Sequence, residues 1–217
     1  MNKILKDPMS GLTHVIGAIL SVIGFIMLIQ RAIDPFDPWK VATFSVFGSG
    51  LFLLYTASTL YHWVPVSGRM ESILKRLDHM MIYILIASTY TPICLIPLRG
   101  PWGWSLFGII WSLALFGILW KLFQFKFSNW FSTVYYVFMG WISMVAFWPL
   151  IQTLQIGAIV WLFAGGLFYT FGVIFYALDK QKSPRRGFGF HEIWHLFVLA
   201  GSGSHFWVMY RYITQFN

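Results

Sequence analysis

His191 and His195 stand four residues apart in the run Phe190-His191-Glu192-Ile193-Trp194-His195. On an α-helix that spacing puts both imidazoles on one face, one turn apart. It is a spacing at which two imidazoles can bind one metal ion. The stretch after them, 196–209, is almost wholly apolar, so the pair sits at the mouth of a membrane-spanning segment. Ionisable groups at such a place are rare and mark functional sites by default.

Two more groups join them. His62 closes an earlier apolar stretch, with Ser58 one helical turn before it, and Asp78 opens the next. Three neutral imidazoles, His62, His191 and His195, give a three-histidine site with one position open. That is the catalytic arrangement for Zn2+, in which water takes the fourth position. Zinc lowers the pKa of such water to about 7. Asp78 then holds that water and serves as general acid or base. Ser58 places a hydroxyl on the same face as His62.

The elements that must position these residues follow from composition. The chain of 217 residues is 58% hydrophobic and 10% charged, against about 25% charged in soluble domains. It reads as an integral membrane protein. Membrane helices need about 20 mainly apolar residues, and seven stretches qualify: 11–31, 39–62, 78–98, 103–122, 129–150, 156–178 and 190–212. The expected fold is therefore all-α, a single seven-helix membrane domain over 1–217 with short connections and antiparallel neighbours. The first apolar run is too long for a signal-peptide core and reads as a retained helix. Pro92 and Pro97 predict a kink or early end in the third helix. Small residues at Gly48-Ser49-Gly50, Gly165-Gly166 and Gly201-Ser202-Gly203 predict close helix packing. The lone Cys94 lies in an apolar stretch and reads as packing.

The net charge of +8 does not indicate nucleic acid, because the basic residues lie in short loops and form no continuous patch. They report topology instead. Lys3, Lys6, Arg69, Lys75, Arg76, Lys121, Lys126, Lys180, Lys182, Arg185 and Arg186 fall on the N-terminal side; Arg31, Lys40, Arg99 and Arg211 fall on the other. The positive-inside rule puts the N-terminus in the cytoplasm and the C-terminus outside. His62, Asp78, His191 and His195 then all arrive at the cytoplasmic end, from three separate parts of the chain. The remaining acids except Glu192, namely Asp7, Asp34, Asp37, Glu71 and Asp179, fall in a terminus or loop.

Ser58-x-x-x-His62, Asp78 within Arg76-Leu77-Asp78-His79, and His191-x-x-x-His195 together resemble the haemolysin III and progestin/adiponectin receptor family, and its bacterial haemolysin III branch in particular. That family belongs to a wider superfamily of seven-helix lipid hydrolases that includes the alkaline ceramidases. The resemblance spans essentially the whole chain. It implies zinc held by His62, His191 and His195, Asp78 acting through water on the metal, and Ser58 beside the site. One departure is visible: Pro8-Met9-Ser10-Gly11-Leu12 precedes Thr13-His14, where the bacterial branch often carries an acid and an amide. The resemblance therefore transfers no role to the first helix.

The leading expectation is a zinc-dependent hydrolase of a lipid amide or ester in the cell membrane. A non-enzymatic sensor of membrane lipid with structural zinc is the alternative. A membrane-damaging haemolysin or pore is a third reading, although no polar stripe crosses the bilayer. His-Glu-x-x-His is also the zincin signature, so an intramembrane protease with Glu192 as base is a fourth; against it, no third-ligand motif follows the pair. Asp78 could equally cap the third helix, and Glu192 could answer the helix dipole. His14 is expected in a hydrogen bond to the site or packed between helices. His79 is expected in a solvated loop, and His205, about 15 Å beyond His195 along its helix, in an interhelical hydrogen bond. Residues 180–186 set topology or meet anionic headgroups.

Overall fold

In the computed structural model, residues 5–123, 129–179 and 188–216 are described. Lys3, Lys126, Gly187 and the basic loop 180–186 lie outside them. The helices are α1 (Pro8–Ile33), α2 (Pro38–Trp63), α3 (Gly68–Leu95), α4 (Pro101–Leu122), α5 (Asn129–Trp141), α6 (Phe147–Thr153), α7 (Ile156–Leu178) and α8 (Phe190–Val208). A short 3-10 turn, Ile142–Ala146, joins α5 to α6, and a π turn, Met209–Ile213, extends α8. With α5 and α6 counted as one crossing, the fold is an all-α bundle of seven segments. Five of them are long and apolar enough to span a bilayer by composition. The other two are α3 and α8, and buried polar groups are spread over α1, α2, α3, α5 and α8.

Helix starts follow local chemistry. Proline occupies the first turn of α1, α2 and α4, where its missing N–H costs no hydrogen bond. Before α2, the Asp37 carboxylate accepts from the Trp39 and Lys40 N–H groups at 2.9 and 3.1 Å. The third helix differs from expectation. It starts at Gly68, not at Asp78, with Gly68 in the left-handed region at φ 62°. Arg69, Glu71, Lys75 and Arg76 occupy its first turns; these residues are too polar to count toward an apolar span, yet good helix formers. Asp78 is thus ten residues inside the helix and does not cap it. At the other end Pro92 lies inside the helix, which stops at Leu95.

The fifth crossing is broken in the middle. The Tyr90 hydroxyl of α3 donates to the Met139 and Gly140 carbonyls at 3.0 and 2.7 Å. It accepts from the Ser143 N–H at 2.9 Å. One side chain thereby satisfies backbone groups that the break frees, as apolar surroundings demand.

α1 packs on α2, α2 on α3, α3 on α4 and α7 on α8, and α8 returns against α1. α5 packs against α3, α4 and α7. Close approaches occur where the sequence predicted them. A Cβ on Gly48 would collide with Phe25 of α1, on Gly50 with Ser88 of α3, on Gly165 with His205 of α8, and on Gly201 with Tyr169 of α7. Gly203 meets nothing within 4 Å. Large apolar side chains such as Ile19, Leu20, Ile109, Phe116 and Ile156 face outward, toward lipid, which is as apolar as they are.

Candidate metal centre

His62 is in the last turn of α2, and His191 and His195 are in the first two turns of α8. They meet. Each offers one ring nitrogen, and these atoms all lie within 4.8 Å of one another. His62 and His195 are 4% and 2% exposed, while His191 is half-buried, at the open end of the cluster. Three histidines arranged in this way could hold a metal ion.

Their hydrogen bonds decide which nitrogen points inward. His62 Nδ1 lies 3.4 Å from Asp7 Oδ2, and His191 Nδ1 lies 3.4 Å from Asp179 Oδ2. An ionised carboxylate only accepts, so His62 donates its Nδ1 proton to Asp7, while Asp179 stands beside His191 as a charge partner. Thr13 donates its hydroxyl proton to the Ser10 carbonyl at 2.7 Å. Its oxygen, 3.0 Å from His195 Nδ1, can therefore only accept there, as does the Ser10 carbonyl at 3.2 Å. These hydrogen bonds set the Nδ1–H tautomer in His62 and His195 and leave Nε2 of each as a lone-pair donor. This is the usual outer support of metal-bound histidine, which fixes ring orientation and raises basicity. The Nε2 atoms of His62 and His191 face each other at 3.2 Å. That separation lets the two rings share one proton or one cation.

The outer residues were not foreseen. Asp7 and Asp179 read as terminal and loop acids, yet each flanks a helix end at the same level as the imidazoles. Asp7 is placed by backbone pairing: its N–H donates to the His62 carbonyl at 2.7 Å, and the Lys6 N–H to the Trp63 carbonyl at 3.3 Å. The Trp63 indole N–H returns a bond to the Pro8 carbonyl at 3.1 Å. The strap so formed carries an ion pair, Lys6 Nζ to Glu71 Oε1 at 2.8 Å, with Lys6 4.1 Å over the Tyr61 ring. Burial opposes the Lys6 charge, but the Glu71 hydrogen bond and the charges of Tyr61, Glu71 and Asp7 outweigh it and raise the ammonium pKa. Burial likewise works against the Asp7 carboxylate, but the His62 hydrogen bond prevails and lowers its pKa. A signal was available: Asp7 flanks the start of α1 and Asp179 the end of α7, on the side of the bundle where His62 and His191 were expected.

The other expected residues separate. Ser58, 2% exposed, and Asp78 line the same cavity as the three histidines. Asp78 is not among the clustered ligand atoms; its carboxylate lies 3.7 Å from His79 Nδ1. His79 is within α3 and donates to the Lys75 carbonyl at 2.6 Å, not in a loop. Glu192 accepts from the Gly189 N–H at 2.7 Å and from the Ser10 hydroxyl at 2.5 Å. It ties the start of α8 to α1. His205 makes the expected interhelical bond, to the Leu162 carbonyl at 3.3 Å. His14 stacks on His195 and makes no hydrogen bond to the site; Thr13 takes that part.

The cavity measures about 890 Å³. Lys6, Asp7, Glu71 and Lys75 line it at the histidine end; Ile86, Ile93, Leu106, Leu150, Ile159 and Leu162 line it deeper in the bundle. A polar mouth thus opens into an apolar interior.

The family model for Haemolysin-III related proteins matches residues 2–206. "Hemolysin-3" of Bacillus cereus is 42% identical over 214 residues, covering 98% of this chain and 94% of the relative. "Hemolysin-3 homolog" of Bacillus subtilis (strain 168) is 40% identical, covering 99% and 98%. "Monocyte to macrophage differentiation factor" of Homo sapiens is 27% identical, covering 94% and 82%. With its seven-segment bundle, its buried histidine cluster and a match along nearly its whole length, the chain is a multi-pass membrane protein that belongs to the haemolysin III-related family.

Proposed function

We propose that the chain is a zinc-dependent hydrolase that cleaves an amide or ester bond of a membrane lipid at the cytoplasmic side of the bilayer. The observation that carries this reading is the junction of three clustered imidazole nitrogens with a largely apolar cavity of about 890 Å³. An acyl chain suits the deeper part while its polar link meets the histidines. The donor set suits zinc, as it suits copper, iron and nickel, and does not suit hard oxygen-seeking ions. Two nitrogens bound tetrahedrally at about 2.0–2.1 Å stand roughly 3.3 Å apart, close to the 3.2 Å between His62 and His191. Zinc would supply Lewis acidity and water of lowered pKa. Asp78 accepts the proton from the attacking water and returns it to the leaving amine or alkoxide. Ser58 offers its hydroxyl to the substrate beside His62. The basic residues on the N-terminal side support a cytoplasmic position.

Replacing His191 or His195 with Ala should remove bound zinc and end fatty-acid release from lipid amides and esters. Undiminished zinc in both variants refutes the centre; zinc lost without any hydrolysis in the parent protein refutes the enzyme.

One observation favours a second reading, a structural zinc in a lipid sensor. α2 and α8 reach each other through side chains, His62 to His191 and the Tyr55 hydroxyl to Ser202 Oγ at 2.8 Å, so an ion there would tie them together. Asp78→Asn distinguishes the two: it abolishes turnover in an enzyme and changes nothing in a purely structural site. The protease reading is weakened because both Glu192 oxygens are engaged. The membrane-damaging reading draws on the Bacillus relatives' names, and liposome leakage with purified protein tests it.

A further inference from the structure

His14 is a buried imidazole that the three-histidine cluster does not use. It is 4% exposed. Its ring lies flat on His195, with centroids 3.6 Å apart and planes 17° from parallel. Tyr55 meets it edge-on at 5.2 Å. Neither His14 ring nitrogen has a hydrogen-bond partner, although the residue lines the cavity. It also lies outside the group of nitrogens that converge within 4.8 Å.

These facts do not fit a packing role alone. A ring required only to stack on His195 could be phenylalanine, which buries no polar atom. A neutral imidazole carries one donor and one acceptor, and leaving both unmatched in an apolar interior is destabilising. The nearby polar groups show the contrast: Ser10, Thr13, Glu192 and His195 are all hydrogen-bonded to one another or to backbone. His14 alone among them faces the cavity without a partner. A second support is its position, one stacked ring away from the cluster where the polar head of an occupant would lie.

We infer that His14 is a ligand-binding residue whose ring N–H donates a hydrogen bond to the acyl oxygen of a lipid seated with its head at the histidine cluster. Its flat face against His195 sets the direction of that bond. The ligand class is an acyl compound, a carboxylate or an amide or ester carbonyl. This inference rests on the lipid reading for its occupant, but not on turnover.

The probe is oleate, binding to purified protein in nanodiscs, with metal content measured in parallel. His14→Phe keeps the stacked ring and removes the nitrogens. It should leave zinc content unchanged and weaken oleate about tenfold, the loss of one hydrogen bond of about 1.4 kcal/mol. His14→Gln, which restores a donor, should recover part of it. In the parent protein, ring-15N NMR of His14, assigned by its disappearance in His14→Gln, should shift on adding oleate; this arm holds even if His14→Phe fails to fold. Oleate binding that depends on His14 without any lipid hydrolysis refutes the hydrolase and keeps this inference. Hydrolysis with oleate binding and the His14 resonance unchanged refutes this inference alone. No oleate binding to the parent protein overturns it outright.

Discussion

Asp7→Ala tests the centre from outside the ligand set. The carboxylate touches His62 Nδ1 at 3.4 Å and makes no capping bond to its own helix. The backbone pairing of residue 7 with the His62 carbonyl survives the change, since it uses only main-chain atoms. What is lost is the orientation and basicity that the carboxylate gives the ring. Such outer contacts are worth roughly 10–100-fold in metal affinity. The distance is longer than the usual 2.7–3.2 Å of a hydrogen bond, and the Asp7 side chain is 20% exposed, so the low end applies. The expected loss is about tenfold, or about 1.4 kcal/mol. Competition for zinc against a chromophoric chelator measures it. The effect must act through His62. In a His62→Ala background, Asp7→Ala should therefore change affinity by less than about twofold, as a double-mutant cycle requires. An equal loss in both backgrounds, or no loss with His62 intact, refutes the assignment of Nε2 as the inward atom.

Tyr90→Phe leaves the Met139 and Gly140 carbonyls and the Ser143 N–H without their shared hydroxyl. It should lower stability by about 1–3 kcal/mol, seen as a lower melting temperature, while zinc content stays constant. The strap pair Lys6–Glu71 should respond to alkaline pH. Because the folded Lys6 pKa is raised, its stabilisation is complete below the unfolded lysine value of about 10.4. It fades as pH rises through the higher folded value. With Glu71 40% exposed, the pair is worth only about 0.2–1 kcal/mol. Melting temperatures of the parent protein and Glu71→Gln should differ slightly at neutral pH and converge once pH rises through the raised Lys6 pKa; a constant gap would remove the pair as its cause.

The seven-segment, all-helical architecture was legible in the residues themselves. Apolar length and short polar breaks are local properties, and each helix must satisfy its own backbone in lipid. So was the meeting of His62, His191 and His195, because helix direction and length put all three at one end. Clusters of small residues also pointed to the glycine contacts at 48, 50, 165 and 201, where neighbours approach closely. The start of α3 was not legible by apolar length, since its first turns carry charges and project beyond the apolar part of the helix. Asp78 consequently lies within the helix and on the cavity wall, and the alternative of a cap falls away. The break at 142–146 depends on a tyrosine 50 residues away in sequence, which no local pattern reports. The partners of the imidazoles were likewise decided in three dimensions. Asp7 meets His62 because the N-terminal strap pairs with the end of α2, and Ser10 and Thr13 meet α8 because that helix closes back on α1. A sequence names the groups that can bind a metal; only the folded chain sets which oxygen takes an Nδ1 proton, and so which nitrogen is left to bind.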